Sequence, residues 1–205
     1  LNMQNGPLQK AIIYEGWGAD PARDRWVRHS ASGRMDIVAI GDPALAPMVA
    51  CELARNGARL IEMCGAVSPG WRAKVSAAVD GKAVVSSVTY GVESLIFGAA
   101  AAQGFINGKP PREAHFILEN GSDPRMDRFE LTFPPQHATF IPVPDEMSAA
   151  EIAADLALSG IGLIELFGGF SDAGAAAVIE AVAGRVPVGA GSVGFNQFDF
   201  GSTKG

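Results

Sequence analysis

Residues 60–68 read LIEMCGAVS, and residues 163–171 read LIELFGGFS. Each opens as an apolar strand. Alternation then puts Leu60, Glu62 and Cys64 on one face, with Ile61 and Met63 on the other. A carboxylate in such a strand needs a reason, because an unpaired buried carboxylate costs several kcal/mol or takes up a proton. The second stretch keeps the glutamate, as Glu165, and replaces the cysteine by Phe167. Extending the comparison outward at a constant offset of 103 residues aligns Ala11–Gly91 with Ala114–Gly194 without a gap. Asp20-Pro21, Asp24-Arg25, Asp42, Gly57, Ser68 and Gly81 all recur as Asp123-Pro124, Asp127-Arg128, Asp145, Gly160, Ser171 and Gly184. That is far more than the handful of matches chance supplies, so the chain is a tandem duplication.

The two copies correct each other's local signals. AIIYEG, near residue 11, and HFILEN, near residue 115, are apolar strands. RFELTF alternates, PPQ turns and TFIPV runs on, which predicts a hairpin; RWVRHS and MDIVAI form the matching pair. A short helix after Asp20-Pro21 is the competing reading. Ser148-Ala-Ala-Glu151 reads as a capping box opening a helix that Gly160 closes. Its counterpart starts at Asp42-Pro43 and stops at Gly57. After the LIE strand comes a helix from Ser68-Pro69 or Ser171-Asp172, then a last strand, AVVSSV or VPVGAG. The expected fold class is α/β: two pseudo-symmetric β-β-β-α-β-α-β lobes with mixed, mainly parallel sheets, because helix-linked strands run parallel and hairpins do not. The first lobe spans residues 11–107 and the second 114–205, with a linker at 108–113. A single eight-stranded α/β barrel made of two half-barrels is the alternative, disfavoured by the hairpins and by the lack of a helix after Gly194.

Composition narrows the function classes. A formal charge of −6, a pI near 5.0 and no basic cluster argue against nucleic acid and against an anionic membrane surface. The longest apolar run, LIFGAAAAQGFI, has 12 residues, well short of the roughly 20 a membrane span needs; it reads as a buried helix within a helical segment from Val92 to Asn107. Two cysteines, Cys51 and Cys64, without metal-ligand spacing suggest neither a disulfide framework nor a metal site. A cytoplasmic protein acting without an organic cofactor on a small acidic or carbonyl-containing molecule is expected.

Chemistry is expected where helices follow strands, since ligands of open α/β sheets gather at the carboxyl ends of strands. Glu62 and Glu165 lie near those ends. Gly65 in one copy, and Gly168 with Gly169 in the other, lead to helix starts at Ser68 and Ser171, where amides of partial positive charge suit a carboxylate or phosphate. Cys64, just ahead of such a start, is a candidate thiol of lowered pKa. Glu62, Cys64 and Glu165 are thus the candidate catalytic groups. Asp42 and Asp145 end the preceding parallel strand on the same sheet edge, although capping accounts for Asp42. Tyr90 follows the last strand of the first half, and His115 stands in a strand where the first copy has Ile12. No histidine has a sequence-near acidic or thiol partner pattern. A structural role competes throughout: both glutamates would then satisfy core groups, and Cys64 would be packing.

Both halves resemble domain-of-unknown-function family 6506, through A-x-x-L-x-x-x-G-x-x-L-I-E-x-C-G at Ala50–Gly65 and its copy at Ala153–Gly168, where Phe167 departs from the cysteine. The resemblance implies a repeated unit that elsewhere pairs as a homodimer, and it implies no activity. A looser likeness, to cofactor-free amino-acid racemases and related decarboxylases, implies a cleft between two α/β lobes with a cysteine at a strand end. Phe167 in place of the second thiol speaks against two-thiol chemistry. Acid/base or thiol chemistry at the inter-lobe cleft is therefore one expectation; a noncatalytic binding or assembly protein is the other.

Overall fold

A computed structural model describes residues 9–192. The first half contains β1 (Lys10–Glu15), β2 (Arg25–Ser30), β3 (Gly33–Ile40), α1 (Ala46–Arg55), β4 (Leu60–Met63), α2 (Pro69–Val79) and β5 (Val84–Tyr90). Helix α3 (Leu95–Ile106) leads into β6 (Arg112–Leu118), β7 (Phe129–Phe133), β8 (Gln136–Val143), α4 (Glu146–Leu158), β9 (Leu163–Phe167), α5 (Asp172–Val182) and β10 (Val188–Gly191). In each half the strands pair parallel except at the β2–β3 and β7–β8 hairpins. The duplication extends to register, with Ile12 opposite Glu62 and Ile37, and His115 opposite Glu165 and Phe140. The expected α/β architecture with mixed, mostly parallel pairing is what forms.

The halves share one sheet. β5 and β10 pair antiparallel, with Gly191 opposite Val88, giving ten strands in the order β2-β3-β1-β4-β5-β10-β9-β6-β8-β7. Its edges, β2 and β7, do not pair with each other, so the sheet is a curled half-barrel and not the closed eight-stranded alternative. The curl brings the inner faces of both halves together. Tyr14 meets His115 edge-on at 5.2 Å and Phe140 at 5.6 Å. Phe140 and Phe167, fully buried, join the core of the first half; burying each contributes about 1.5–3 kcal/mol. On the outer face of the second half, Phe116, Ile141, Ile164 and Val178 build a separate core beneath α4 and α5.

Several local expectations shift. Helix α4 starts before the Ser148–Glu151 box because Asp145 is its cap, accepting from the Ser148 amide at 2.7 Å. Asp42 caps a short 3-10 turn, Pro43–Leu45, that precedes α1. Asp20-Pro21 forms a turn and not a helix, and the β2–β3 hairpin follows. The apolar run becomes α3, yet it is not buried: Ile96 is 82% exposed and Ala101 alone in the helix is buried. Among the described residues, no helix is long and apolar enough to cross a membrane. The expectation about the segment after Gly194 lies outside the described residues.

Candidate functional site

The curl explains the two strand glutamates. Each reaches across the seam to the strand end of the opposite half: the Gly168 amide donates to Glu62 Oε2 at 2.5 Å, and the Gly65 amide donates to Glu165 Oε1 at 2.8 Å. Both carboxylates are buried. The glycines are required by closeness. A Cβ on Gly65 would sit 2.7 Å from Glu165 Oε1, and one on Gly168, at φ +94°, would sit 2.8 Å from the Leu118 backbone. These amides were expected to receive an anionic ligand, but the opposite half's carboxylates already occupy them.

Around Glu62 the arrangement is self-contained. Lys10 Nζ donates to the Gly168 carbonyl at 2.7 Å. Burial pushes the Glu62 carboxyl up to about 7, against the amides of Gly168 and Gly169 and the charge of Lys10; burial likewise pushes Lys10 down, against Glu62 and Glu119. A cavity of about 610 Å³ lies beside this group, bounded by Lys10, Asp145, Glu146, Gly168, Gly169 and Ser171. On its wall Ser171 Oγ donates to Glu146 and accepts from the Gly174 amide as the cap of α5.

Around Glu165 the neighbours are ionisable. Tyr90 OH donates to Glu165 Oε1 at 2.7 Å. His115, fully buried, lies with Nδ1 3.4 Å from Glu165 Oε2, too poorly aligned for a hydrogen bond, and with Nε2 3.1 Å from Glu113 Oε2. Tyr14 OH is 3.4 Å from both Glu113 oxygens and accepts from Gln136 Nε2 at 2.6 Å. Gln136 also donates to the Glu15 carbonyl and accepts from the Trp17 amide. Burial disfavours charge on His115, yet Glu113 and Glu165 outweigh it and push the imidazole up to about 9. At neutral pH it is an imidazolium, with both nitrogens donors. Burial and the nearby carboxylates push both tyrosines up, so each remains a neutral phenol.

Cys64 does not have the lowered pKa expected of it. Burial, reinforced by Glu165, pushes the thiol up, and its sulfur accepts from the Glu15 amide at 3.3 Å. Phe167, at the equivalent place in the second half, packs 5.7 Å from the His115 ring.

This cluster opens into a second cavity, also of about 610 Å³, whose wall includes Tyr14, Cys64, Gly65, Tyr90, Glu113, Gln136 and Glu165. Helix α3 forms one side through Leu95, Gly98, Ala99, Ala102 and Phe105, residues at helical spacing on one face. Of the residues expected at a site, Cys64, Gly65, Tyr90 and Glu165 meet here, while Asp145, Gly168, Gly169 and Ser171 meet at the other cavity. Asp42, Glu62, Ser68 and His115 line neither; Asp42 is a cap, and Ser68 precedes α2 without a side-chain capping bond. Glu113, Tyr14 and Gln136 were missed. Glu113 was legible, because it stands two residues before His115 in a strand and so shares its face. Among the described residues, no group of three or more His, Cys, Asp and Glu side chains is arranged to hold a metal ion.

Comparison with known proteins locates the chain among relatives without an assigned role. The model of a family of unknown function, DUF6506, matches twice, over residues 8–102 and 112–200. No curated protein matches. One solved structure shows a distant likeness, a carbohydrate transporter from Acidothermus cellulolyticus 11B in complex with myo-inositol: 15% identity, 90% of this chain and 74% of that one covered, and a TM-score of 0.33. At that score nothing about fold or ligand follows for this chain.

Proposed function

The chain belongs to DUF6506, a family of unknown function, and we propose that its α3-covered cavity binds a small carbonyl compound and moves protons on it, with Glu165 as base and Tyr90 as hydrogen-bonding acid. The observation that carries this reading is Glu165 itself: a carboxylate 2% exposed, on the cavity wall, holding the Tyr90 hydroxyl on one oxygen and with no hydrogen bond on the other. The Gly65 amide and the Tyr90 hydroxyl both donate to its Oε1, and the His115 ring stands 3.4 Å from its Oε2. Such a base takes a proton from carbon beside a carbonyl; as the Glu165 carboxylate takes it up, the neutral Tyr90 phenol exchanges its hydrogen bond to Oε1 for one to the substrate oxygen where charge develops. His115 stands against Glu165 at 3.4 Å without a hydrogen bond, and from it the chain runs through Glu113 to Tyr14 on the same cavity wall. Cys64, a thiol held up by burial, contributes shape and not a nucleophile, and Glu62 belongs to the seam.

The test is solvent exchange. In deuterium oxide, wild-type protein should erase the proton NMR signals of exchangeable C–H groups in members of a small carbonyl panel, and Glu165→Gln should not. Panel members that bind without any exchange would replace this reading with that of a noncatalytic binding protein.

A further inference from the structure

We infer that the ligand of the α3-covered cavity carries a positive charge: the site takes a small organic cation, an amine or substituted ammonium compound. This rests on the reading of that cavity as the ligand site. Among the described residues its wall carries three carboxylates, Glu15, Glu113 and Glu165, and neither lysine nor arginine. His115 is 0% exposed and off the wall, held between Glu113 and Glu165. Three acidic side chains against one imidazole give the wall a formal excess of acid, with burial and Asp42 holding the Glu15 carboxyl above its ordinary range. An anion would enter without a partner, and a neutral ligand would leave that excess uncompensated; an ammonium group offsets it where low polarity strengthens the attraction.

The aromatic lining points the same way. Tyr14, Trp17, Tyr90 and Phe105 all contribute to the wall, and ring faces attract cations, substituted ammonium groups above all. A volume of about 610 Å³ holds a ligand of that class. The other cavity supplies the contrast, since Lys10 stands there in the place equivalent to Glu113. Duplication has thus given two strand-end cavities walls of different charge.

The experiment titrates the protein with choline, its neutral carbon isostere 3,3-dimethylbutan-1-ol and the anion 3,3-dimethylbutyrate, by calorimetry or ligand-observed NMR. Choline should bind about tenfold or more tighter than the neutral isostere, and the anion weakest. Glu113→Gln and Glu15→Gln should each weaken choline several-fold and leave the neutral isostere unchanged. Glu15 stands outside the His115 chain, so its variant decides the matter should Glu113→Gln fail to fold. Equal binding of the isostere, tighter binding of the carboxylate, or no choline binding up to about 50 mM overturns the proposal. Choline binding without proton exchange on any carbonyl compound defeats the catalytic reading alone; exchange on neutral compounds with no preference for cations defeats this one alone.

Discussion

Glu62 and Glu165 are one residue copied twice, and the difference between them lies entirely in what surrounds them. Both accept the amide of the opposite half's strand-end glycine. Where the shell around Glu165 has His115, Glu113, Tyr14, Cys64 and Gln136, the duplicated positions are Ile12, Lys10, Ile117, Phe167 and Gly33. The glycine–glutamate bond ties the halves, so both copies retain it. The seam of a duplicated sheet thereby offers a buried carboxylate that the fold itself keeps in position.

The sharpest way to break this comparison is to neutralise one glutamate at a time. Glu165→Gln should lower proton exchange on a bound carbonyl compound by about 10²–10⁴, the usual worth of a general base, and also lower the melting temperature, because buried His115 loses one of the two carboxylates that raise its pKa, although the amide oxygen still accepts from Gly65. Glu62→Gln should leave exchange rates unchanged. Equal losses from both variants would show that the two shells are not functionally distinct.

Truncation separates them by stability. Glu62→Ala leaves the buried Gly168 amide without its acceptor and removes the carboxylate beside Lys10, so it should destabilise by roughly 2–4 kcal/mol in urea unfolding. A loss well under 1 kcal/mol would mean that the seam does not depend on this tie. Gly65→Ala should cost less, about 1–3 kcal/mol, since Glu165 Oε1 and the Tyr90 ring, 2.7 and 2.9 Å from the new Cβ, have room to move toward the cavity. Exchange activity should fall with it, because the Tyr90–Glu165 pair is what moves.

What the sequence revealed follows from which interactions are local. The strands, hairpins and helix stops came from alternation and glycines, and the duplication singled out Glu62 and Glu165, with a catalytic and a structural role both open. The partner of each glutamate was illegible, because the contact runs between residues about a hundred positions apart and exists only after the sheet curls. The same long-range pairing hid β5 against β10, since their alternation says nothing about which edge meets which. Cys64 was misjudged for a related reason: nearness to a helix start suggested a lowered pKa, while burial and Glu165, invisible in sequence, act the other way. Glu113 beside His115 needed only the strand's period of two.

The smallest effect, and the finest separation of the two shells, is in their proton uptake. Burial holds the folded-state carboxyl of Glu62 at about 7, above its ordinary 4.5. The folded chain therefore keeps a proton that the unfolded chain has lost, and this contribution to stability is complete below 4.5 and lost as pH rises through 7. His115, raised from 6.5 to about 9 by its two carboxylates, obeys the same sign one window higher: its contribution is complete below 6.5 and lost as pH rises through 9. Urea midpoints of wild-type protein should thus fall in two steps between pH 5 and 9. Glu62→Gln should erase the lower step and His115→Gln the upper, each leaving the other in place. Stability that instead rises across this range would show that neither buried group holds its proton as the packing around it requires.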